Sequence, residues 1–547
     1  MVVSDTPVLV VGGGPVGSAM AIELGWRGID CTLIEQGDGT VDHPRLGIIL
    51  TRMMEFCRRW GIVNRVYDCG FSKSYHLNVV YCTSLAGHLL ARDDNPSAEE
   101  MLPPPQSPEK RQRCPQIWFN PLMEKAASEY DTVRIHHFRR LDSFRETTDG
   151  VEAQVTDLST GEVDTVRAQY LVACDGAASV VRRQLAVPMI GNPALSYSVN
   201  IFVRSPEMLR MHGMGEAERY IFVGPQGTWA NMTVVDGREL WRFTVIGSET
   251  MMDLSTFDAH AVIARCLGRT DIPYEIISVK PWRRTELTAA RMRHGRVFLA
   301  GDAAHTMSPT GGFGMSTGVG DVVDLGWKLE AVLKGWGGPH LLDSYDPERR
   351  PVALRAAATS ARNFRAWISA ADTSAIEDDT PEGAATRARV GRHMQAAGRE
   401  DWDSLGMQLG FHYDGSPILV PDDTPAPPDT VMEYRQTARP GSRAPHAWLP
   451  DGRSTLDLFG HGFVLLRFGE GAPSPDPLLA AAAARGMPLR AEVIADAAVA
   501  ALYERTLVLV RPDGHVAWRG DALPDDIGVI LDTVRGAVEP GRNRAAA

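Results

Sequence analysis

The chain has 547 residues, 44% of them hydrophobic and 23% charged, with a formal net charge of -12. That length exceeds what one hydrophobic core organises, so two to four packing units are expected. No apolar run approaches the roughly 20 residues of a membrane-spanning helix, the acidic balance argues against a phosphate-tracking surface of clustered Lys and Arg, and seven cysteines without CxxC spacing indicate neither a disulfide framework nor a zinc site.

The opening MVVSDTPVLVVGGG runs straight into a buried strand with no basic n-region or cleavage site, so a cytoplasmic location is expected. Residues 7 to 35 read strand, glycine turn, helix, strand: Val8 to Val11 is a Val-rich run, Ser18 to Trp26 is helical, and Cys31 to Ile34 is apolar again, which makes a βαβ unit. Helices follow at about Thr51 to Trp60 and Pro121 to Tyr130, then alternating strands at Gly150 to Thr156 and Val166 to Cys174. Between about Met189 and Trp282 short strands such as Tyr197 to Val203, Arg219 to Val223 and Leu240 to Val245 predict an antiparallel sheet inserted into the α/β domain, which resumes at residues 295 to 335 with strand, glycine-rich loop and long helix. Thr373 to Arg399 is polar and helix-prone, and Pro421 to Pro428 has linker composition. After a boundary near residue 438, His461 to Phe468, an Ala-rich helix at Leu478 to Gly486, Leu489 to Ile494, Thr506 to Arg511, His515 to Trp518 and a helix at Asp525 to Val534 predict a small module of thioredoxin-like order, without cysteine and therefore without dithiol chemistry.

Three stretches point to chemistry. Gly12-Gly13-Gly14-Pro15-Val16-Gly17 follows a strand and opens a helix; Gly12 permits the tight turn, Gly14 lets backbone N–H groups approach a pyrophosphate, and Gly17 permits close helix–strand packing. Glu35, followed by Gln36, ends the second strand, where a carboxylate accepts ribose hydroxyls and repels a 2′-phosphate, as suits FAD or NAD. In the second stretch a strand ends at Gly301-Asp302, whose carboxylate can accept ribityl hydroxyls of a flavin. The loop from Pro309 through Gly312, Gly314, Met315 and Ser316 to Gly318 then enters a helix whose first N–H groups suit a negative reduced ring. The third, Cys174-Asp175-Gly176 with Arg182 beyond, gains weight from the other two and is a plain Asp-Gly turn if read alone.

In order and separation these elements resemble the single-component FAD-dependent aromatic hydroxylases, the p-hydroxybenzoate and phenol hydroxylase family, and the stretch around Ala438 to Leu458 is similar to chlorophenol hydroxylases and polyketide-tailoring hydroxylases. The resemblance covers nearly the whole chain, with looser matches at Pro44-Arg45, Pro115-Gln116 and Leu342 to Arg349. It implies FAD contacts from Gly14, Glu35, Arg45, Gln116 and Asp302, with Asp175 near the pyrophosphate and the nicotinamide entry path. The implied reaction uses NADH or NADPH as transient donor and O2 as oxidant, forms a flavin C4a-hydroperoxide, and hydroxylates a small phenolic or polycyclic aromatic substrate. Baeyer–Villiger insertion, N-hydroxylation and a non-catalytic FAD-binding role are the alternatives, and a homodimer is compatible with the family. This chain departs from the pattern at Ser316, where the family often has Asn, and at Gly47, where some phenol hydroxylases carry an acid. The group that activates the substrate is therefore left open among His43, Tyr75, His76, Tyr197 and Tyr220.

The expected fold class is α/β plus α+β. A Rossmann-like FAD-binding domain spans 1–188 and 283–372, an antiparallel substrate sheet 189–282, a helical linker 373–437 and a thioredoxin-like domain 438–547.

Overall fold

A computed structural model of the chain describes residues 3–43, 47–368, 372–469 and 471–539. Its first sheet has a parallel centre: Val3–Val11 lies between Cys31–Ile34 and Val163–Ala173, with Val133–His136 and Val297–Leu299 parallel beyond them. Val8, Leu9, Val10, Leu171 and Val172 are fully buried, as expected of strands covered on both faces. Register decides where the chemistry sits. Val11 pairs with Ile34 and Ala173, and Ala173 with Leu299, so four strands end level with one another. The residues that follow are Gly12, Glu35, Cys174-Asp175 and Ala300-Gly301-Asp302. Segments nearly 300 residues apart in sequence thus meet in the crevice at the carboxyl edge of a parallel sheet, where such sheets bind ligands.

The helix Pro15–Trp26 follows the first strand and packs against the long helix Phe313–Leu333. It begins at Pro15, three residues before the sequence expectation, because proline suits the first helical position. The helix expected from Pro121 instead spans Gln116–Ser128, with Pro121 inside it. Here the prolines misled: Pro115 supplies the start and Pro121 is tolerated within.

The second sheet runs through Glu275–Ala289, Met189–Arg204, Leu240–Ser248, Gly227–Val234 and Arg219–Gly224. It reaches beyond residues 189–282. Val79–Cys82 joins Arg219–Gly224 in parallel, Leu89–Asp93 extends that edge, and His305–Thr306 closes the other. A helix, Ala259–Leu267, lies within the insertion where only strands were expected. One face of the sheet, carrying Val199, Ile201, Phe222, Met232, Trp241 and Phe243, buries an apolar cluster with Ile263 and Leu267 of that helix. The opposite face carries Asn200, Arg219, Asn231, Arg242 and Thr244, and one end of it is covered by Trp367 of the helix Tyr345–Ile368 and Met394 of the helix Pro381–Trp402.

The third sheet orders Leu489–Ile494, Phe463–Phe468, Leu507–Val510 and Val516–Gly520, the first pair parallel and the others antiparallel. An additional helix, Ala497–Tyr503, precedes Leu507–Val510. Buried ion pairs fix this module to the rest. Arg511 reaches Glu348 and Asp324, which also hold Lys328 at 2.6 and 2.7 Å. Glu55 holds Arg443, and Arg27 donates to Glu330 and to the Gly460 carbonyl. No helix among the described residues is long and apolar enough to cross a membrane.

Candidate active site

Gly12 has φ +103, and a Cβ there would lie 2.4 Å from the Cys174 carbonyl oxygen. A Cβ on Gly17 would lie 1.8 Å from the Gly12 carbonyl oxygen, so both positions exclude side chains for packing reasons. Gly14 differs: among the described residues nothing lies within 4 Å of its Cβ position, and the helix that it caps has no side-chain cap. The first N–H groups of Pro15–Trp26 therefore face open space at the positive end of the helix dipole. Glu35 borders it, its Oε2 accepting from Gly13 N at 2.6 Å and its Oε1 from Gly37 N at 2.7 Å; Gln36 beside it is exposed. Each Glu35 oxygen keeps a second lone pair for a hydroxyl.

The second helix start is built alike. Gly312, at φ +69 with nothing among the described residues within 4 Å of its Cβ position, precedes Phe313–Leu333 without a side-chain cap. Among the described residues a Cβ on Gly314 would meet only Met307, at 3.8 Å. Pro309 is exposed, Met315 is half-buried, and the buried Ser316 Oγ has no hydrogen-bond partner among the described residues. The two starts converge through Val16, whose side chain lies 2.9 Å from a Cβ on Gly301 and 2.7 Å from one on Gly318.

Between them stand Asp302, exposed in a short 3-10 turn, and Asp175. Asp175 Oδ2 caps the helix Val180–Gln184 by accepting from Val180 N at 2.7 Å, while its Oδ1 is buried without a partner among the described residues. Arg182 ties the two acidic turns together, donating to the carbonyls of Ala177 and Ala303 at 3.1 Å. Behind Gly301, Asp321 accepts from Gly301 N, His305 Nε2 and Arg349 Nε, and these partners hold its carboxyl below the usual range although burial opposes them. Gln116 opens its helix half-buried, and Arg45 lies outside the described residues.

Two uncapped helix starts joined by a glycine-lined trough suit an elongated molecule with a pyrophosphate at one end and an electron-rich ring at the other. The orphaned Asp175 Oδ1 and Ser316 Oγ add an acceptor and a hydroxyl to that trough. These residues fit FAD.

Next to the second helix start lies the polar face of the large sheet, which holds cations that the sequence reading did not single out. Arg284 donates to Ser308 Oγ at 3.3 Å, on the loop that leads to Gly312, and sits over the rings of Trp282 and Phe364. Arg219 lies over Trp367 and Trp402 and 3.4 Å from Asp401. Arg113 pairs with Glu218 at 2.7 Å, and its guanidinium would be 2.6 Å from a Cβ on Gly47, which gives a steric reason for the missing acid there. Burial, together with the neighbouring Arg219 and Arg113, pushes the Arg242 guanidinium down to about 9. Arg284 is likewise pushed down to about 9 by burial, Arg219 and Arg242, against a weaker opposing pull from Asp401.

Of the residues left open for substrate activation, two lie on the other face of the sheet, and the remaining three are spread over separate places. Tyr75 and Tyr220 belong to the apolar cluster on the other face, donating to the carbonyls of Ala217 and Gly215. His76 is exposed beside Glu100, Tyr197 is half-buried in its strand, and His43 Nδ1 contacts Ser278 Oγ at 2.8 Å.

A family model described as an FAD binding domain matches residues 5–360, and one described as aromatic-ring hydroxylase, C-terminal, matches residues 437–537. Tetracenomycin B2 monooxygenase-dioxygenase of Streptomyces olivaceus is 34% identical over 565 aligned residues, covering 97% of this chain and 98% of its own. Among solved structures, RebC soaked with chromopyrrolic acid and holding 7-carboxy-K252c matches with a TM-score of 0.92 at 40% identity, over 98% of this chain and 100% of that one. The flavin-dependent monooxygenase PieE, in complex with FAD and substrate, matches with a TM-score of 0.85 at 30% identity, over 97% and 98% of the two chains. With a family model across most of its length and relatives that align end to end, this chain belongs to the FAD-dependent aromatic-ring hydroxylases.

Proposed function

We propose that the chain is an NAD(P)H- and O2-dependent monooxygenase that hydroxylates a phenolic or polycyclic aromatic substrate held as its anion against the cationic sheet face. The observation behind this reading is the placement of Arg284 and Arg219 beside the loop that starts at Ser308 and leads to the bare helix start at Gly312. FAD, when bound, accepts a hydride from the nicotinamide and delivers activated oxygen to the ring. In this reading the FAD-binding portion is Rossmann-like, and the terminal module is thioredoxin-like in order without dithiol function, since it has no cysteine.

Gly12, Gly14, Pro15, Val16 and Gly17 form the pyrophosphate cradle, Glu35 takes the ribose hydroxyls, and Gln36 edges the same end. Gln116 borders the flavin, Asp175 lies on the nicotinamide path, and Gly301-Asp302 takes the ribityl chain; the contact that the family resemblance implies for Arg45 falls outside the described residues. Pro309, Gly312, Gly314, Met315 and Ser316 supply the helix start at the ring. Arg284 and Arg219 favour the ionised form of a bound phenol, which makes the ortho and para carbons nucleophilic, and the surrounding Trp282, Phe364, Trp367 and Trp402 keep water away.

The test is a screen of phenols and polycyclic quinols, with and without an acidic substituent, for stimulated NAD(P)H oxidation under isotopically labelled dioxygen. One labelled oxygen on the ring, ortho or para to the hydroxyl, is the expected product. Label in a ring-expanded ester, or only in hydrogen peroxide for every compound, overturns the reading. Arg284→Met should lower kcat/KM about tenfold or more, since a charge-assisted contact contributes roughly 1.5–3 kcal/mol. The acidic limb of its pH profile should move to higher pH, because the phenol must then ionise without that cation.

A further inference from the structure

A second cavity, of about 360 Å³, opens where the helix Thr51–Arg59 meets the carboxyl-terminal module. That volume lies within the range of small-molecule pockets, and none of its lining residues belongs to the glycine loops. Arg52, Arg58, Arg59 and Arg490 line it together with two carboxylates, Glu55 and Asp457; Arg490 is itself paired with Glu492 and donates to the Leu458 carbonyl, and Arg58 is shared with Glu109, so the uncompensated positive charge of the lining is that of Arg59. The carboxylates are already engaged: Glu55 by Arg52 and Arg443, and Asp457 by a two-pronged contact from Arg58 at 2.7 and 2.8 Å. Arg59 differs from the other three. It has no ion pair and no hydrogen-bond acceptor among the described residues, and its Nη1 is buried. The nearby acids that attract it, Glu23 and Asp513, are held by Arg27 and Arg511, and burial pushes its guanidinium down to about 10. Trp26 and His461, stacked with ring centroids 3.8 Å apart, wall the cavity across the joint.

A half-buried guanidinium with one buried, unused donor is costly unless an acceptor reaches it. We propose that this cavity binds a small oxyanion, a phosphate or carboxylate group, which Arg59 grips from one side of the joint and Arg490 from the other. The bound anion would link the FAD-binding portion to the terminal module, and it would stabilise the assembled chain by mass action.

FAD-loaded protein is titrated with inorganic phosphate and separately with citrate, against sodium chloride at matched ionic strength, and thermal unfolding is followed by tryptophan fluorescence. A saturable rise of about 1 °C in Tm at tenfold excess over Kd is expected with phosphate, citrate or both, and none with chloride. A response to one alone identifies the oxyanion class. Arg59→Gln should lose the response while melting, without added anion, at or above the wild-type temperature, because it removes a desolvated charge that has the Phe56 ring beside it but no ion pair among the described residues. An equal response in Arg59→Gln, or no response beyond chloride, overturns the proposal. Should Arg59→Gln yield no folded protein, Arg490→Gln is measured in its place, and an unchanged response there overturns it as well.

Discussion

Asp401 sits at the end of Pro381–Trp402, 6% exposed, with Oδ1 buried and lacking a partner among the described residues. Burial pushes its carboxyl up to about 6, while Arg219 and Arg111 pull it down and Glu218 pushes it further up. Unfolded, the same carboxyl titrates near 3.9. Between about pH 4 and 6 the folded chain therefore holds a proton that the unfolded chain has released. The Asp401 contribution to stability is fully present below that window and is lost as pH rises through it. Asp401→Asn should flatten this decline, so the difference in Tm between variant and wild type should grow from pH 4 to pH 6.5; a difference independent of pH would show that the carboxyl stays ionised. Nothing in the sequence marks this residue. Its cation comes from a strand 182 positions away, and the polar stretch around it reads as a solvated helix. Gly12, Gly14 and Gly17 were legible because their spacing along one turn encodes the fold of that turn, whereas a carboxylate buried by tertiary packing leaves no local pattern.

At the scale of elements, the first helix start separates two roles that one motif combines. Gly17→Ala forces a Cβ into the Gly12 carbonyl and should lower the stability of the flavin-free protein by roughly 1–3 kcal/mol. Gly14→Ala enters open space at φ -68 and should leave that stability unchanged while weakening flavin retention. Melting curves of flavin-free protein alongside FAD dissociation measurements separate the two, and equal loss of stability in both variants would remove Gly14 from its place at the ligand. The strands of the large sheet were partly legible. The alternation Trp241-Arg242-Phe243-Thr244 announces a strand with two unlike faces, but it reads the polar face as wet. That face is partly covered by helices contributed from residues 345 to 402, so Arg284 is a buried cation and Arg242 a half-buried one rather than surface ones. The strand Val79–Cys82 was missed because its partner, Arg219–Gly224, lies far along the chain.

The whole molecule is joined by charges that no side of the joint satisfies alone. Arg511, fully buried, is shared by Glu348, Asp324 and Asp513, while Lys328 holds the first two from within the long helix. Arg511→Met should cost about 3–5 kcal/mol, as removing one partner of a buried network leaves charges uncompensated. It should show as one cooperative transition at lower denaturant; an early separate transition for residues beyond 437 would mean that the module folds independently. The module's strands were readable from their own apolar runs, but this attachment was not, since an arginine beside an aspartate in Arg511-Pro512-Asp513 looks like an ordinary turn.

The same joint sets a rule for recombination among relatives. The long helix follows Gly312 and is gripped by the module through Asp324 near its middle, so the start and the middle of one rod answer to different parts of the gene. A crossover between two homologous genes near residue 437 should yield a folded hybrid only when the incoming segment brings an arginine matching Arg511 to a recipient that keeps Asp324 and Glu348. Exchanges of substrate preference by shuffling should therefore concentrate in the inserted sheet, upstream of the joint, where swapping a strand leaves the joint intact.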